Sequence, residues 1–276
     1  MRNFDQWFRP RLLILLAALL YAQVADATGA ARTVAELFTS QGCSSCPPAD
    51  AVAGRLRINP AVIVLSIHVN YWDGPQWKDS FSSQVGTDRQ YAYSRALGEG
   101  SVFTPQLILN GTQSFVGAQE GAIQEAIKAS RTALPAQVDL SRQPDGTFML
   151  TLAGAVKGAE LWEFDYVQHA ATQIRGGENG GRRLDTYNDV TQIRRLGIFV
   201  PGTVQLPTLK PPANGLAVIV QTPGLGPILG AGAYEIKQPQ LLMLIGSYPG
   251  LQASTIHSDS SVRPSGGTLR PAFSIN

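Results

Sequence analysis

Between Arg32 and Ser130 the apolar positions alternate between strand-like runs and helical periods. Thr33-Val-Ala-Glu-Leu-Phe38 reads as a strand. Pro47 to Leu56 reads as a helix, with Asp50 in its first turns and Pro60 beyond its end. Ala61 to Val69 is almost unbroken apolar sequence, β-branched at Val62, Ile63, Val64, Ile67 and Val69, which suits a central strand buried on both faces. Thr87 to Leu97 has a helical pattern stopped at Gly98. Gln106–Leu109 and Gln113–Val116 flank Asn110-Gly111, the preferred pair for a type I′ hairpin turn. Gln119 to Ser130 is amphipathic, with Ile123, Ala126 and Ile127 on one face. The predicted order is β-α-β-α-β-β-α.

After Pro135 the pattern changes. Gln137–Leu140 and Thr147–Leu152 flank Pro144-Asp145-Gly146, a second hairpin signal. Glu160–His169 and Leu216–Gln221 are further strand-like runs, glycine and proline become dense, and no long helical period remains. The pattern predicts an α/β domain over 32–131, a mixed sheet flanked by helices, followed by a smaller antiparallel β domain over 136–237. Leu241–Tyr248 is apolar but too short to span a bilayer. The Ser-, Gly-, Pro- and Arg-rich stretch 250–276 reads as a disordered tail.

The chain of 276 residues is 44% hydrophobic and 15% charged, which excludes a disordered protein. A formal charge of +2 gives no nucleic-acid-binding field. Residues 1–27 read as a signal peptide: Arg2, Arg9 and Arg11, an apolar core from Leu12 to Ala22, then Ala25-Asp26-Ala27 as a cleavage site. The expectation is an exported protein with no membrane span after cleavage. In an oxidising compartment its two cysteines can form a lasting disulfide.

Those cysteines lie in Gly42-Cys43-Ser44-Ser45-Cys46-Pro47-Pro48, between a predicted strand and a predicted helix. Two intervening residues let the sulfurs reach bonding distance, and amides at a helix start favour the reactive thiolate. Structural zinc takes four ligands, typically two such pairs, and this chain has one pair with three histidines not spaced as ligands. Pro47 biases Cys46 away from helical geometry, so the helix is expected to start at Pro47 or Pro48. That moves Cys43 away from the helix dipole, and a strongly acidic thiol is not expected.

The segment 32–131 resembles the thioredoxin superfamily, in the C-x-x-C and in Thr104-Pro105 before Gln106–Leu109, the Asn-Gly hairpin and a terminal helix. More narrowly, the chain is similar to exported bacterial thioredoxin-like proteins classed as a domain of unknown function. Glu36–Asp50, His68-Val-Asn-Tyr-Trp-Asp73, Phe103-Thr-Pro-Gln106 and Gly177-Glu-Asn-Gly-Gly181 carry that likeness. The resemblance implies a thioredoxin-like fold, a periplasmic or secreted location and a cis-proline at Pro105. It also implies that Thr104 offers its backbone to a substrate chain. It further implies a buried acid that moves protons for Cys46, and Glu36, one residue farther from the cysteines than usual, is the candidate. The chain departs from ordinary thioredoxins in its Ser-Ser dipeptide and in lacking a tryptophan before Cys43.

Cys43 is the expected attacking thiol and Cys46 the resolving one. The leading expectation is thiol–disulfide exchange with a protein substrate or redox partner, which takes no organic cofactor. One alternative is a binding or assembly module with a structural disulfide. Another is a copper chaperone with Cys43, Cys46 and His68 as ligands, since thiolate and imidazole suit Cu(I). His68 is otherwise a core histidine. Trp72, with Tyr71 and Trp77, is a candidate wall for a substrate groove or a core aromatic. Gly176–Gly181 lacks the ending and context of a phosphate loop and reads as a hairpin loop. Arg182-Arg183 and Arg194-Arg195 read as solvated basic pairs, or a site for an anionic partner.

Overall fold

The period of each apolar run in the first half sets its element. The computed structural model describes residues 32–130, 134–210 and 213–236, so the expected leader, the 241–248 run and the tail lie outside the described residues. Strand β1 (Thr33–Thr39) leads through the cysteine turn into helix α1 (Pro47–Leu56). Then follow β2 (Val62–His68), α2 (Gln84–Ala96), β3 (Gln106–Leu109), β4 (Gln113–Val116) and α3 (Glu120–Ala129). Helix α2 starts three residues earlier than its pattern predicts, because Ser83 caps it by accepting from the Gly86 N–H. Asn110 and Gly111 both take positive φ, and the Asn110 side chain accepts from the Val34 N–H.

The second half supplies β5 (Ala136–Arg142), β6 (Phe148–Gly154), β7 (Glu160–Gln173), β8 (Arg183–Ile198), β9 (Gly202–Leu206), β10 (Gly215–Gln221) and β11 (Ile228–Glu235). Among the described residues these strands make two sheets. One is a mixed eight-stranded sheet of order β11-β10-β7-β8-β2-β1-β3-β4; the other is β5-β6-β9, antiparallel throughout. The sequence pattern predicts an independent β domain after residue 136, and here the architecture differs. Four of its strands extend the sheet begun by β1–β4, and only three form a sheet of their own. The join is thin in backbone terms, a single parallel pair of Ser66 with Asp189. Side chains reinforce it: Ser66 Oγ donates to the Tyr187 carbonyl at 2.7 Å, and Asn188 Nδ2 donates to the Val64 carbonyl at 3.0 Å.

Strand alternation then sorts the core into layers. Val34 and Phe38 of β1 join Ile63, Leu65 and Ile67 of β2, Tyr93 of α2 and Phe164 of β7 on one face. Ala35 and Leu37 face the other way, onto α1 and α3. Farther along that second face, Val218 and Val220 of β10 pack on Phe148, Leu150 and Val138 of the small sheet. Gly230 and Gly232 of β11 make this close approach possible, since a Cβ there would fall 2.4 and 2.3 Å from the Ala136 and Val138 carbonyl oxygens. No described helix is long and apolar enough to cross a membrane.

One polar cluster sits inside the first layer. Glu36 is fully buried and accepts from Arg89 Nε at 2.6 Å and from the Tyr93 hydroxyl. Gln221 of β10 closes the network, its Oε1 accepting from Arg89 and its Nε2 donating to Tyr93. Removing one partner of such a pair leaves the other charge buried alone. Glu36→Ala should therefore cost about 3–5 kcal/mol of folding free energy, measured as a lowered urea midpoint.

Candidate functional site

Cys43 and Cys46 are joined by a disulfide at the β1-to-α1 turn, their Cα atoms 5.5 Å apart. The helix begins at Pro47, as predicted. Cys46, however, takes right-handed helical φ/ψ (−76°, −37°) despite the proline after it. Its carbonyl accepts from the Ala49 and Asp50 amides at 2.8 and 3.1 Å, and these bonds outweigh the steric preference.

Three segments close over the sulfurs. The Thr104–Pro105 bond is cis, and the Thr104 carbonyl lies 3.9 Å from Cys43 Sγ. Ser45 Oγ is 3.2 Å from the same sulfur. Trp72, partly exposed, donates from Nε1 to Thr104 Oγ1 at 2.8 Å, while its Cβ and carbonyl lie against Gly42. The third segment is the tip of the β7–β8 hairpin, residues 174–182. Asn179 is fully buried there and donates to the carbonyls of Gln41 (3.0 Å) and Cys43 (2.8 Å). Glu178 accepts from the Ser44 N–H at 2.9 Å, and Arg182 donates to Asn179 Oδ1 at 2.7 Å. Gly176 lets the tip approach the Gln76 backbone, because a Cβ there would sit 2.2 Å from the Gln76 oxygen. The hairpin-loop reading of this glycine run is correct in form, but the loop clasps the cysteine turn. With these contacts Cys43 is only 1% exposed.

Beneath α1 lies a buried ionic cluster. His68, at the end of β2, donates from Nδ1 to Asp79 Oδ2 at 2.7 Å and from Nε2 to Asp189 Oδ1 at 3.0 Å. Burial alone would lower its pKa, but the two carboxylates outweigh that and hold it well above the ordinary 6.5, so the ring is cationic at neutral pH. Asp79 is held below its ordinary value, its burial overcome by the His68 charge and by amide hydrogen bonds from Gln41 and Phe81. Thr186 Oγ1 donates to the second oxygen of Asp189 at 2.6 Å.

Asp50 is a buried acid near the pair to which the sequence reading gave no role. It stands four residues after Cys46, hence on the same face of α1, and is 4% exposed. Burial pushes its carboxyl up to about 7 against the pull of the His68 charge and of the Thr39 hydroxyl, which donates to it at 2.8 Å. Its place in the first turn of a helix after C-x-x-C was the available signal. Glu36, the acid expected from the resemblance, bonds Arg89 and Tyr93 instead of facing α1. Period-two alternation turns it to the α2 face with Val34 and Phe38, opposite the face that α1 covers.

The three residues of the copper alternative are otherwise engaged in this oxidised structure. Both His68 ring nitrogens are taken by carboxylates, and both cysteines by their mutual bond. Among the described residues no group of three or more His, Cys, Asp or Glu side chains is placed to hold a metal ion. Arg194 pairs with Glu163 and Asp165 of β7, and Arg195 with Glu160, so these basic residues serve the β7–β8 ladder. A cavity of about 530 Å³ lies elsewhere, along α2 and against Trp162, Ile193 and Leu225, with none of the cysteine-site residues in its wall.

The family model described as "Protein of unknown function (DUF1223)" matches residues 34–221, and the chain belongs to that family. Among solved structures, the chain is similar to protein AGR_C_4864 of Agrobacterium tumefaciens. That likeness has 31% identity and a TM-score of 0.69, over 78% of this chain and 99% of that one. HBP35 of Porphyromonas gingivalis is similar in fold, at 18% identity and a TM-score of 0.56, over 82% of each chain. No curated protein matches the chain.

The ionic cluster gives stability a pH dependence of defined sign. The folded pKa of His68 is raised, so its contribution is full below about pH 6.5 and is lost as pH rises through the folded value. Asp50 also binds its proton more tightly when folded, so stability falls between its ordinary 3.8 and about 7. Asp79 acts oppositely, losing its contribution only as pH falls below 3.8. Urea midpoints of the oxidised protein should decline from about pH 5 to pH 8, and Asp50→Asn should flatten the part below pH 7.

Proposed function

We propose that the protein is a thioredoxin-like thiol–disulfide oxidoreductase working in an exported, oxidising setting. The carrying observation is the placement of the Cys43–Cys46 bond at the start of α1, with the Thr104 carbonyl beside Cys43 and the protonatable Asp50 one turn beyond Cys46. The β-α-β-α-β-β-α order of the first half supports the thioredoxin-like reading. The pattern of residues 1–27 supports export.

In the reduced protein, the Cys43 thiolate attacks one sulfur of a substrate disulfide and releases the other as a thiolate. Cys46 then loses its proton, for which Asp50 is the acceptor, and attacks Cys43 Sγ. The second substrate thiol leaves, the substrate has gained two electrons, and the Cys43–Cys46 bond is re-formed. Run in reverse, the same steps donate a disulfide. Thr104 and Trp72 border the path by which a substrate chain reaches Cys43.

A second reading is a binding or assembly module in which the disulfide is structural. The 1% exposure of Cys43 favours it, because an incoming sulfur must first displace part of the covering segments. The reduction potential separates the two. Titration in a dithiothreitol redox series should give a value above about −270 mV for an exchanging pair, and a value well below about −300 mV would establish the structural reading. With an exchangeable pair, Cys46→Ser should accumulate a mixed disulfide on Cys43, and Cys43→Ser should accumulate none. Asp50→Asn should slow release from the mixed disulfide by about 10²-fold at neutral pH.

A further inference from the structure

The tip of the β7–β8 hairpin has no part in the exchange steps, yet it brings a charge to the cysteine turn. Glu178 is exposed, yet its carboxylate is fixed on the Ser44 N–H at 2.9 Å, one residue from Cys43. Asn179 fixes the same tip from below through the Cys43 and Gln41 carbonyls. We propose that Glu178 is a positioning residue that restrains ionisation of the Cys43 thiol and so holds the cysteine pair toward its disulfide. The proposal rests on the exchange reading and deepens it.

Two effects act together. A negative charge beside a thiol disfavours the thiolate. The Ser44 amide, a donor in the C-x-x-C turn, is also taken by the carboxylate and so is lost to a sulfur anion. Hydrogen bonds from Ser44 keep the Glu178 carboxyl below its ordinary pKa, so the charge is present at neutral pH. Other charged groups lie near the turn. Arg182 lies on the tip itself, directed at Asn179 Oδ1. Asp50 lies beyond Cys46 on α1, and His68 with Asp79 and Asp189 stands behind Gln41. Near the sulfur, Thr104 offers only a carbonyl oxygen, which repels an anion. Removing the Glu178 charge leaves the tip with only its basic residues, Arg175 and Arg182, which adds to the effect.

Glu178→Gln tests this with little structural change, because the amide oxygen of glutamine accepts the same Ser44 N–H. Thiolate absorbance during a pH titration of the reduced full chain reports the Cys43 pKa. Equilibration with dithiothreitol, which supplies two electrons and two protons and closes to its cyclic disulfide, reports the redox balance. The variant should lower the Cys43 pKa enough to raise the thiolate fraction at neutral pH about threefold. The dithiothreitol equilibrium should shift about threefold toward the dithiol near pH 9, where the thiolate forms, and should not shift near pH 6. Glu125→Gln, an exposed change on α3, should do neither. An unchanged pKa and unchanged pH 9 equilibrium in Glu178→Gln, with a wild-type pair that still exchanges, would overturn the inference alone. A wild-type pair that dithiothreitol never reduces would overturn the exchange reading, and the inference with it.

Discussion

The protein turns on one imidazolium. His68 ends β2, and its two ring nitrogens hold carboxylates from two distant places: Asp79, in the loop before α2, and Asp189, on β8. A cation buried to this depth persists only where opposite charge and hydrogen bonds surround it. Each carboxylate in turn holds backbone or side-chain donors, Gln41 and Phe81 on Asp79 and Thr186 on Asp189. The cluster therefore sets the turn before Cys43, the seat of Asp50 and the register of β8 against β2. A single backbone pair joins those strands, so the ionic centre does the work that a long ladder would otherwise do.

The second half of the chain is accordingly part of the site. The β7–β8 hairpin has strands of 14 and 16 residues, long enough to line the main sheet and still carry its tip over the cysteines. Its base meets the small β5-β6-β9 sheet through Leu161, whose neighbours include Phe148 and Leu150. One hairpin thus runs from the outer sheet to the Cys43 carbonyl. The same hairpin supplies Asp189 to the ionic centre and Asn179 to the cysteine turn.

The first half was legible because its elements carry their own signals: a buried β-branched run for β2, Asn-Gly for the β3–β4 turn, paired prolines for the start of α1. The cysteine pair and the Thr104-Pro105 approach were legible for the same reason, being local in sequence. The placement of Glu36 on the α2 face was not legible, because strand parity, rather than distance along the chain, decides which face a side chain serves. The role of the Gly176–Gly181 run was invisible because its partners, Gln41, Cys43, Ser44 and Gln76, lie about a hundred or more residues away. Strand β8 hid behind its polar composition. With Asp185, Thr186, Asn188 and Asp189 it lacks the apolar alternation of a strand, since several of those side chains serve hydrogen bonds instead of the core.

The 121 residues between His68 and Asp189 also govern the order in which the chain can mature. A chain emerging from its N-terminal end presents β1, α1 and β2 long before β8 exists, so the histidine must wait with half its counter-charge. The early segment can collapse but cannot close, because the open side of β2 and the ring nitrogen meant for Asp189 stay wet until the late hairpin arrives. Contacts so distant in sequence are slow to form. During that interval the hairpin tip does not yet cover the cysteine turn, and the oxidation that joins the thiols can precede that clasp.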